Sequence, residues 1–289
     1  MDRLSEILNH MSISTRVFHS GSICGVFDFS ESQSHHGYIH LVSRGRLTLQ
    51  RQNKEALLIE EPSLIFYPRP TTHRLVADES AGAEIVCATV EIGAGPNNPI
   101  ANALPESIVI PLSTSDNLAK VTHWLFEEAF LDLDARQVML DRLAEIIVIQ
   151  LLRLALTQEE SLAGLLRGLV HPQLGKLIKN IHRSPARQWR LEDMAKLSLM
   201  SRSKFAQTFK DTLGQTPADY LLEWRISLAQ TYLRKGHAVN LIAHKVGYPN
   251  SSTFSRAFKK KTGYSPTDWH HAFLTKNEED RGVVEHLSK

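Results

Sequence analysis

Hydrophobic and polar positions alternate in short segments over the first part of the chain. From about Cys24 to Ile92, segments with β-branched or aromatic residues are separated by Gly, Pro, Asn or Asp at intervals of roughly eight to twelve residues, which is typical of an all-β sandwich or barrel. Leu47 and Leu49 alternate with polar neighbours, as in a half-buried strand. This pattern predicts a β-domain, which we expect to be a barrel.

The pattern then changes to a helical period. Residues 117–130 place apolar side chains at helical spacing after Asp116, a candidate N-cap. Residues 134–156 form a longer predicted helix with a broad apolar face, which must be covered. Packing against the β-domain is the favoured interpretation, and a homodimer seam through part of this face is the alternative.

Composition removes several classes of protein. The chain has 289 residues, of which 42% are hydrophobic and two are cysteines. An ordinary core is therefore available, whereas a disulfide framework or a four-cysteine zinc site is not. No stretch approaches the roughly 18 apolar residues of a membrane span, and the first residues do not resemble a signal peptide. We expect a cytoplasmic protein with no membrane partner.

The charges are unevenly placed. Residues 1–170 hold 13 basic and 21 acidic side chains, a net charge of −8, whereas residues 171–289 hold 20 basic and 10 acidic, a net charge of +10. Such asymmetry predicts two domains, with a polyanion as the partner of the basic one. We place the domains at 1–160 and 171–275, followed by a tail at 276–289.

The basic part contains an internal repeat. Seven residues recur at a fixed offset of 49 positions, which indicates a duplicated supersecondary unit. The matched pairs are Ser203 and Ser252, Phe205 and Phe254, Phe209 and Phe258, Lys210 and Lys259, Gly214 and Gly263, Pro217 and Pro266, and Asp219 and Asp268.

Each copy is predicted to be a helix, a tight turn and a second helix. The second helix begins near a Ser or Asn that can cap its amides, and Gly214 or Gly263 ends it. Its two phenylalanines are four residues apart and therefore share one inward face. This is the helix-turn-helix unit, whose second helix can enter the major groove of DNA.

The residues on the opposite face are polar or cationic, as required for contacts to base edges and phosphates. A solvated helix face is the alternative, but the pattern occurs twice, and residues 171–275 carry 17 basic and 6 acidic side chains. The outward residues are Ser203, Lys204, Gln207 and Lys210 in the first copy, and Ser252, Ser255, Arg256 and Lys259 in the second.

Segment 172–270 resembles the tandem helix-turn-helix domain of AraC/XylS-type transcription regulators, most specifically in the run GYPNSSTFSRAFKKKTGYSP. The resemblance implies double-stranded DNA and RNA polymerase as partners, and the role of an activator. It implies base-edge contacts from Ser203, Ala206, Gln207, Ser251, Ser252, Ser255 and Arg256. It implies phosphate contacts from Arg202, Lys204, Lys210 and Lys259.

The N-terminal part resembles the cupin-type sensor domain of one branch of this family. The segments that carry the resemblance are HLVSRG, YPRPTTHRL, NPIANALPESIVIPL and LDRLAEIIVIQLLR. It implies a domain that senses a signal and sets dimer geometry or DNA affinity. The expected fold class is therefore α+β, with an N-terminal cupin-like β-barrel, a helical linker and a C-terminal all-α tandem helix-turn-helix domain.

Histidines in the β-domain raise the question of a metal. His36, His40 and His73, with His35 beside them, are candidates because imidazole binds Zn, Fe, Cu or Ni. The paired histidines and following Glu of catalytic cupins do not occur at the usual spacing, so surface or hydrogen-bonded histidines are the favoured interpretation. We predict no metal and no other cofactor.

Cys24 and Cys87 both fall in strand-like segments. One interpretation is that both are inert thiols in a reducing compartment. The alternative follows from a resemblance to the reactive-chlorine-responsive activators of this branch, which implies that Cys24 and Cys87 are a redox-sensing pair. A pair that forms a disulfide must bring its Cα atoms within about 7 Å.

Other functions stay open at this stage. A small organic effector inside the barrel would contact Phe27, Phe29, Phe66 and Tyr67. A metal-dependent cupin enzyme and a DNA-binding protein without a sensor are less favoured, and no GxSxG elbow supports a hydrolase. We expect a DNA-binding regulator that is not an enzyme.

Overall fold

The computed structural model describes residues 3–8, 12–30, 36–93, 98–157 and 164–274. These residues form two compact units. The β unit takes in the described residues of 13–93 and 105–154, and the helical unit takes in those of 3–12, 98–104 and 155–274.

The β unit contains two antiparallel sheets. Its strands are β1 (Ile13–Ile23), β2 (Gly25–Phe29), β3 (Gly37–Gly45), β4 (Leu47–Arg51), β5 (Lys54–Ile59), β6 (Ser63–Tyr67), β7 (His73–Ala77), β8 (Ala83–Ile92) and β9 (Ile108–Pro111). One sheet has the order β1-β8-β3-β6-β9 and the other β2-β7-β4-β5. Within the described residues no strand pairing joins them, so the expected barrel is instead an open sandwich of two sheets.

The core of the β unit lies between these sheets. Leu47 and Leu49 are fully buried, whereas Gln50 is exposed, which confirms the alternation predicted for this strand. Tyr67 and Cys87 belong to the same buried cluster. The core therefore contains groups that can donate hydrogen bonds as well as aliphatic side chains.

Two helices complete the β unit. Helix α3 (Asp116–Phe130) is capped by Ser115, whose hydroxyl accepts from the Leu118 amide at 3.4 Å, so Asp116 lies in the first turn and is not the cap. Helix α4 is Arg136–Thr157. It packs on the edge strand β1, where Val17 donates to Asp141 Oδ1 and accepts from Gln137 Nε2, both at 2.8 Å. Side chains of α4 thus satisfy backbone groups that an edge strand leaves open.

The helical unit contains the remaining helices. They are α1 (Arg3–Leu8), α2 (Pro99–Ala103), α5 (Gly164–Val170), α6 (Leu174–Arg183), α7 (Leu191–Leu197), α8 (Arg202–Leu213), α9 (Pro217–Arg234), α10 (Val239–Lys245) and α11 (Ser251–Thr262). Residues 266–274 are also helical. Among the described helices of both units, none has the length and apolar content needed to cross a membrane.

Candidate functional site

The two predicted helix-turn-helix units are present as α7–α8 and α10–α11. The side chains of Ser201 and Asn250 accept from the third following amide, and Gly214 and Gly263 end the helices in the left-handed conformation, with φ of 78° and 85°. The caps and terminators predicted from the repeat are therefore confirmed. They fix where each recognition helix begins and ends.

The turns of the two units are related but not identical. Leu199 has a φ of 54° and Gly247 has a φ of 86°. In each turn the amide of the next residue donates to the carbonyl of an alanine five residues before it, from Met200 to Ala195 and from Tyr248 to Ala243. A Cβ at Gly247 would lie 2.9 Å from the backbone Cα of Ala186, and this contact together with the positive φ requires glycine at this position. Leu199 adopts the same backbone region with a side chain that is 86% exposed.

Each recognition helix presents one polar face. Phe205 and Phe209 in α8, and Phe254 and Phe258 in α11, are fully buried. Of the residues nominated for DNA contacts, the exposed ones are Arg202, Ser203, Lys204, Gln207, Lys210, Ser252, Arg256 and Lys259. The half-buried ones are Ala206, Ser251 and Ser255.

The first recognition helix is partly neutralised by its own neighbours. Arg202 pairs with Glu192 of α7 at 3.0 Å, and the Gln207 amide donates to Asp211 at 2.8 Å. Helices α7 and α8 together carry four basic and three acidic residues. Two of the nominated side chains therefore have internal partners that a nucleic acid would have to replace.

The second recognition helix differs in charge. Residues 239–262 contain five basic residues and no acidic residue. Lys260 takes the position that Asp211 holds in the first copy, and it was missed at the sequence level because it lies outside the matched repeat. Lys261 reaches Glu223 of α9 at 3.4 Å. Of the two recognition helices, α11 therefore carries the larger positive charge.

Helix α9 connects the two helix-turn-helix units, and it contacts α8, α10 and α11. Its 18 residues correspond to a length of about 27 Å at roughly 1.5 Å per residue. This is close to the roughly 34 Å that separates successive major grooves on one face of B-DNA.

A second candidate site is a buried chain of polar side chains in the β unit. His40 and Cys87 are direct cross-strand partners on β3 and β8, and His40 Nδ1 lies 3.1 Å from Cys87 Sγ. His40 Nε2 lies 2.9 Å from Nε2 of His73, which comes from the other sheet. His73 Nδ1 lies 2.7 Å from the carbonyl oxygen of Thr71. The chain therefore links the two sheets through the core.

The direction of every hydrogen bond in this chain follows from its last member. A carbonyl only accepts, so His73 Nδ1 carries the proton and His73 Nε2 accepts. His40 Nε2 then donates to His73, which leaves His40 Nδ1 to accept from the thiol of Cys87. Each group is neutral in this arrangement, as a buried environment requires.

Burial shifts the pKa values in the directions that this arrangement needs. It lowers the pKa of His73 to about 4, against a smaller opposing effect of the Thr71 hydrogen bond. Burial, and next the neighbouring His73, hold the pKa of His40 well below its usual range. Burial raises the pKa of the Cys87 thiol. Cys87 is thus a protonated, shielded thiol and not a reactive thiolate in this conformation.

Aromatic rings fill the space around the histidines. Phe29 stacks on His73 with ring centroids 4.7 Å apart, and Tyr67 stacks on its ring at 3.9 Å. The Tyr67 hydroxyl is buried without a hydrogen-bond partner among the described residues. Of the aromatics nominated to contact an effector, Phe29, Phe66 and Tyr67 are buried and Phe27 packs partly buried on the same core.

The structure does not bring Cys24 and Cys87 together. Cys24 is exposed and Cys87 is buried, and both are free thiols. Ile23 pairs with Ala83 at the end of β1, whereas Cys87 pairs with His19 further along the same strand. Four residues of β8 separate Ala83 from Cys87, which corresponds to roughly 13 Å. A disulfide between the two cysteines requires that part of the sheet opens.

The metal candidates separate in a similar way. His40 and His73 meet, but His36 precedes β3 and lies four residues from His40 along an extended chain. His35 lies outside the described residues. Within the described part of the chain, no group of three or more His, Cys, Asp or Glu side chains is arranged to hold a metal ion.

Comparisons with known proteins identify both domains. A family model described as Cupin matches residues 2–157, and one described as Helix-turn-helix domain matches residues 194–272. A putative AraC-like transcription regulator of Streptomyces lividans is 37% identical over 172 residues, which cover 57% of this chain and 56% of that protein. The chain thus spans little more than half the length of that relative.

Two further proteins are similar over more of the chain. The RCS-specific HTH-type transcriptional activator RclR of Escherichia coli K12 is 29% identical over 243 residues, which cover 80% of this chain and 82% of that protein. The solved structure of ToxT from Vibrio cholerae with a bound unsaturated fatty acid is 13% identical, covers 90% of this chain and 94% of its own, and has a TM-score of 0.40. At that TM-score the likeness supports no statement about this chain.

Proposed function

Because the chain belongs to the AraC/XylS-type transcription regulators that carry an N-terminal cupin domain, we propose that it is a sequence-specific activator that responds to oxidants through the thiols of Cys24 and Cys87. The observation that supports sequence-specific DNA binding is the pair of capped recognition helices with exposed polar faces. The similarity to an activator described as RCS-specific supports an oxidant as the signal. Recruitment of RNA polymerase follows from the role of an activator.

The DNA-binding step uses α8 and α11 in two successive major grooves. Arg256 has the geometry to donate two hydrogen bonds to guanine, and Gln207 can pair with adenine once it leaves Asp211. Lys204, Lys210 and Lys259 contact phosphates and supply the salt-dependent part of the affinity. The described helical unit offers one continuous helix, α9, to hold the spacing.

The sensing step begins at the exposed cysteine. The thiolate of Cys24 attacks the chlorine of hypochlorous acid and releases hydroxide, and water then displaces chloride to leave a sulfenic acid on Cys24. A second thiol condenses with the sulfenic acid and releases water to form a disulfide. Cys87 reacts later because its sulfur is buried and donates its proton to His40.

A disulfide between Cys24 and Cys87 would therefore be a conformational signal. Its formation needs a displacement of several ångströms in β1 or β8, together with loss of the hydrogen bond from Cys87 to His40. A sulfenic acid that stops on Cys24 would leave the sandwich intact. The two outcomes differ in whether the core of the β unit opens.

The test is stoichiometric oxidation of the purified full chain with hypochlorous acid. We expect dimedone to trap a sulfenic acid on Cys24 first, and non-reducing peptide mapping to find the Cys24–Cys87 link afterwards. Iodoacetamide should label Cys24 in the reduced folded protein and leave Cys87 unlabelled. The proposal is wrong if Cys24→Ser and Cys87→Ser both leave the oxidant response of a reporter unchanged while the reduced variants bind DNA normally.

A further inference from the structure

A groove of about 970 Å³ lies on the β unit beside α3. We define the α3 groove by its apolar wall of Leu112, Trp124, Phe130, Leu131 and Leu133, and by its polar wall of Arg44, Glu84, Glu127 and Glu128. Its volume lies in the range of small-molecule sites, which are mostly apolar with a few placed polar groups. All of its lining residues belong to the β unit, and Cys87, His40 and His73 are not among them.

The apolar wall is open to solvent. Trp124, Phe130, Leu131 and Leu133 are each exposed by 50 to 52%. Four large apolar side chains that lie together and remain half-exposed are unusual on a folded protein unless they bind something. The indole of Trp124 also offers a face to a cation, which an aliphatic side chain does not.

The polar wall carries an excess of negative charge. Arg44 is paired with Glu84 at 2.6 Å, and Glu127 with His123 at 3.3 Å. With the imidazole neutral, the groove holds one basic and three acidic side chains, a formal charge of −2. An organic cation complements this charge, whereas an organic anion does not.

Glu128 supplies the anchor. It is only 7% exposed and lines the groove, yet no described residue donates a hydrogen bond or forms an ion pair with its carboxylate. The carboxylate lines the groove without a charged partner among the described residues, and a ligand that brings a positive charge would supply one. The adjacent Glu127 does have a partner, His123.

We propose that the α3 groove binds an amphipathic organic cation, with the cationic centre against Glu128 and Trp124 and the apolar body against Phe130, Leu131 and Leu133. The ligand class is an amine or onium ion with an aromatic or branched apolar body. This site does not depend on DNA binding or on cysteine oxidation, because it is defined by binding to the reduced full chain alone.

The test uses two probes of the same shape and opposite charge. Tetraphenylphosphonium and tetraphenylborate are titrated into the full chain by calorimetry in sodium buffers. We expect the cation to bind with a dissociation constant in the micromolar range, and the anion at least tenfold more weakly. Equal binding of the two ions, or no binding of either below millimolar concentration, would overturn the proposal.

Variants locate the probe. Glu128→Gln should weaken binding of the cation at least tenfold and bring the two affinities close together, while circular dichroism shows an unchanged fold. Asp116→Asn is the matched control, since it removes an exposed carboxylate of the same helix that does not line the groove, and it should weaken binding less than threefold. An unchanged affinity in Glu128→Gln would contradict the assignment.

A second copy of the chain is the competing occupant. In that case sedimentation would detect a concentration-dependent dimer that Trp124→Ala dissociates, and the cation would bind neither form. This result would assign the apolar wall to self-association and would overturn the cation site.

Discussion

Replacing Glu192 by Gln should strengthen DNA binding, because Glu192 holds Arg202 in an ion pair at 3.0 Å. Arg202 opens the recognition helix α8 and is nominated to contact a phosphate. The side chains are 67% and 52% exposed, so the pair itself contributes little to folding. The substitution thus releases a cation at the face that we propose contacts DNA, at a small cost in stability.

The size of the effect follows from counterion release. One additional phosphate contact makes the slope of log K against log salt steeper by about 0.9. At 0.1 M salt this corresponds to a gain of up to about eightfold in affinity, or roughly 1.2 kcal/mol. The loss of a carboxylate from the first turn of α7 opposes this gain only through helix stability, by about 0.3 to 1 kcal/mol.

Fluorescence anisotropy with a random duplex, from 50 to 200 mM salt, measures both affinity and slope. Asp193→Asn is the matched control, because it removes a charge from the same turn without releasing Arg202. The double variant Glu192→Gln, Arg202→Gln should lose the gain. An equal gain in the double variant would refute the reasoning, since the cause would then be the removal of negative charge in general.

Three further results are expected. Arg256→Ala should cost about 1 to 3 kcal/mol on the specific site and much less on random duplexes, and equal losses in an anisotropy assay would contradict base reading. The pKa of His73 is lowered to about 4, so between that pH and about 6.5 the unfolded chain binds more protons at this residue than the folded chain does. His73 should therefore lower the stability by about 2 to 3 kcal/mol from pH 7 to pH 4.5, and the lowered pKa of His40 adds to this fall. Urea titrations at both pH values test this, and His73→Gln should reduce the difference; a difference as large as in the original chain would exclude His73 as its source. Leu199→Gly should stabilise the helical unit by about 0.5 to 1 kcal/mol, because Leu199 has a φ of 54°, and a lower midpoint of thermal unfolding would show that the strain is absent.

The recognition helices were predictable from the sequence because their signals are local. The caps at Ser201 and Asn250 and the terminators at Gly214 and Gly263 act within one helical turn of the residues they fix. The repeat doubled the evidence for them. The neutralisation of Arg202 by Glu192 was not predictable, because it depends on how α7 packs on α8 across the turn.

The β unit was less predictable because its contacts are distant in sequence. Alternating strands predict a sandwich and a barrel equally well, and only the pairing of strands decides between them. The register that places His40 opposite Cys87, and Cys24 far from it, is set by pairing across more than forty residues. The sequence therefore identified the histidines and cysteines but could not show which of them meet.

The two helix-turn-helix units share their fold but differ at most of the positions nominated for DNA contacts, and this has a consequence for the operator. Five of the seven repeated residues are aromatic, glycine, proline or aspartate positions that build or cap helices, and only Ser203 with Ser252, and Lys210 with Lys259, are nominated DNA contacts. The other nominated positions differ between copies, as in Ala206 with Ser255 and Gln207 with Arg256. Since different side chains prefer different base edges, the operator should consist of two unlike half-sites about one helical turn apart, and selection from random duplexes should recover no direct repeat.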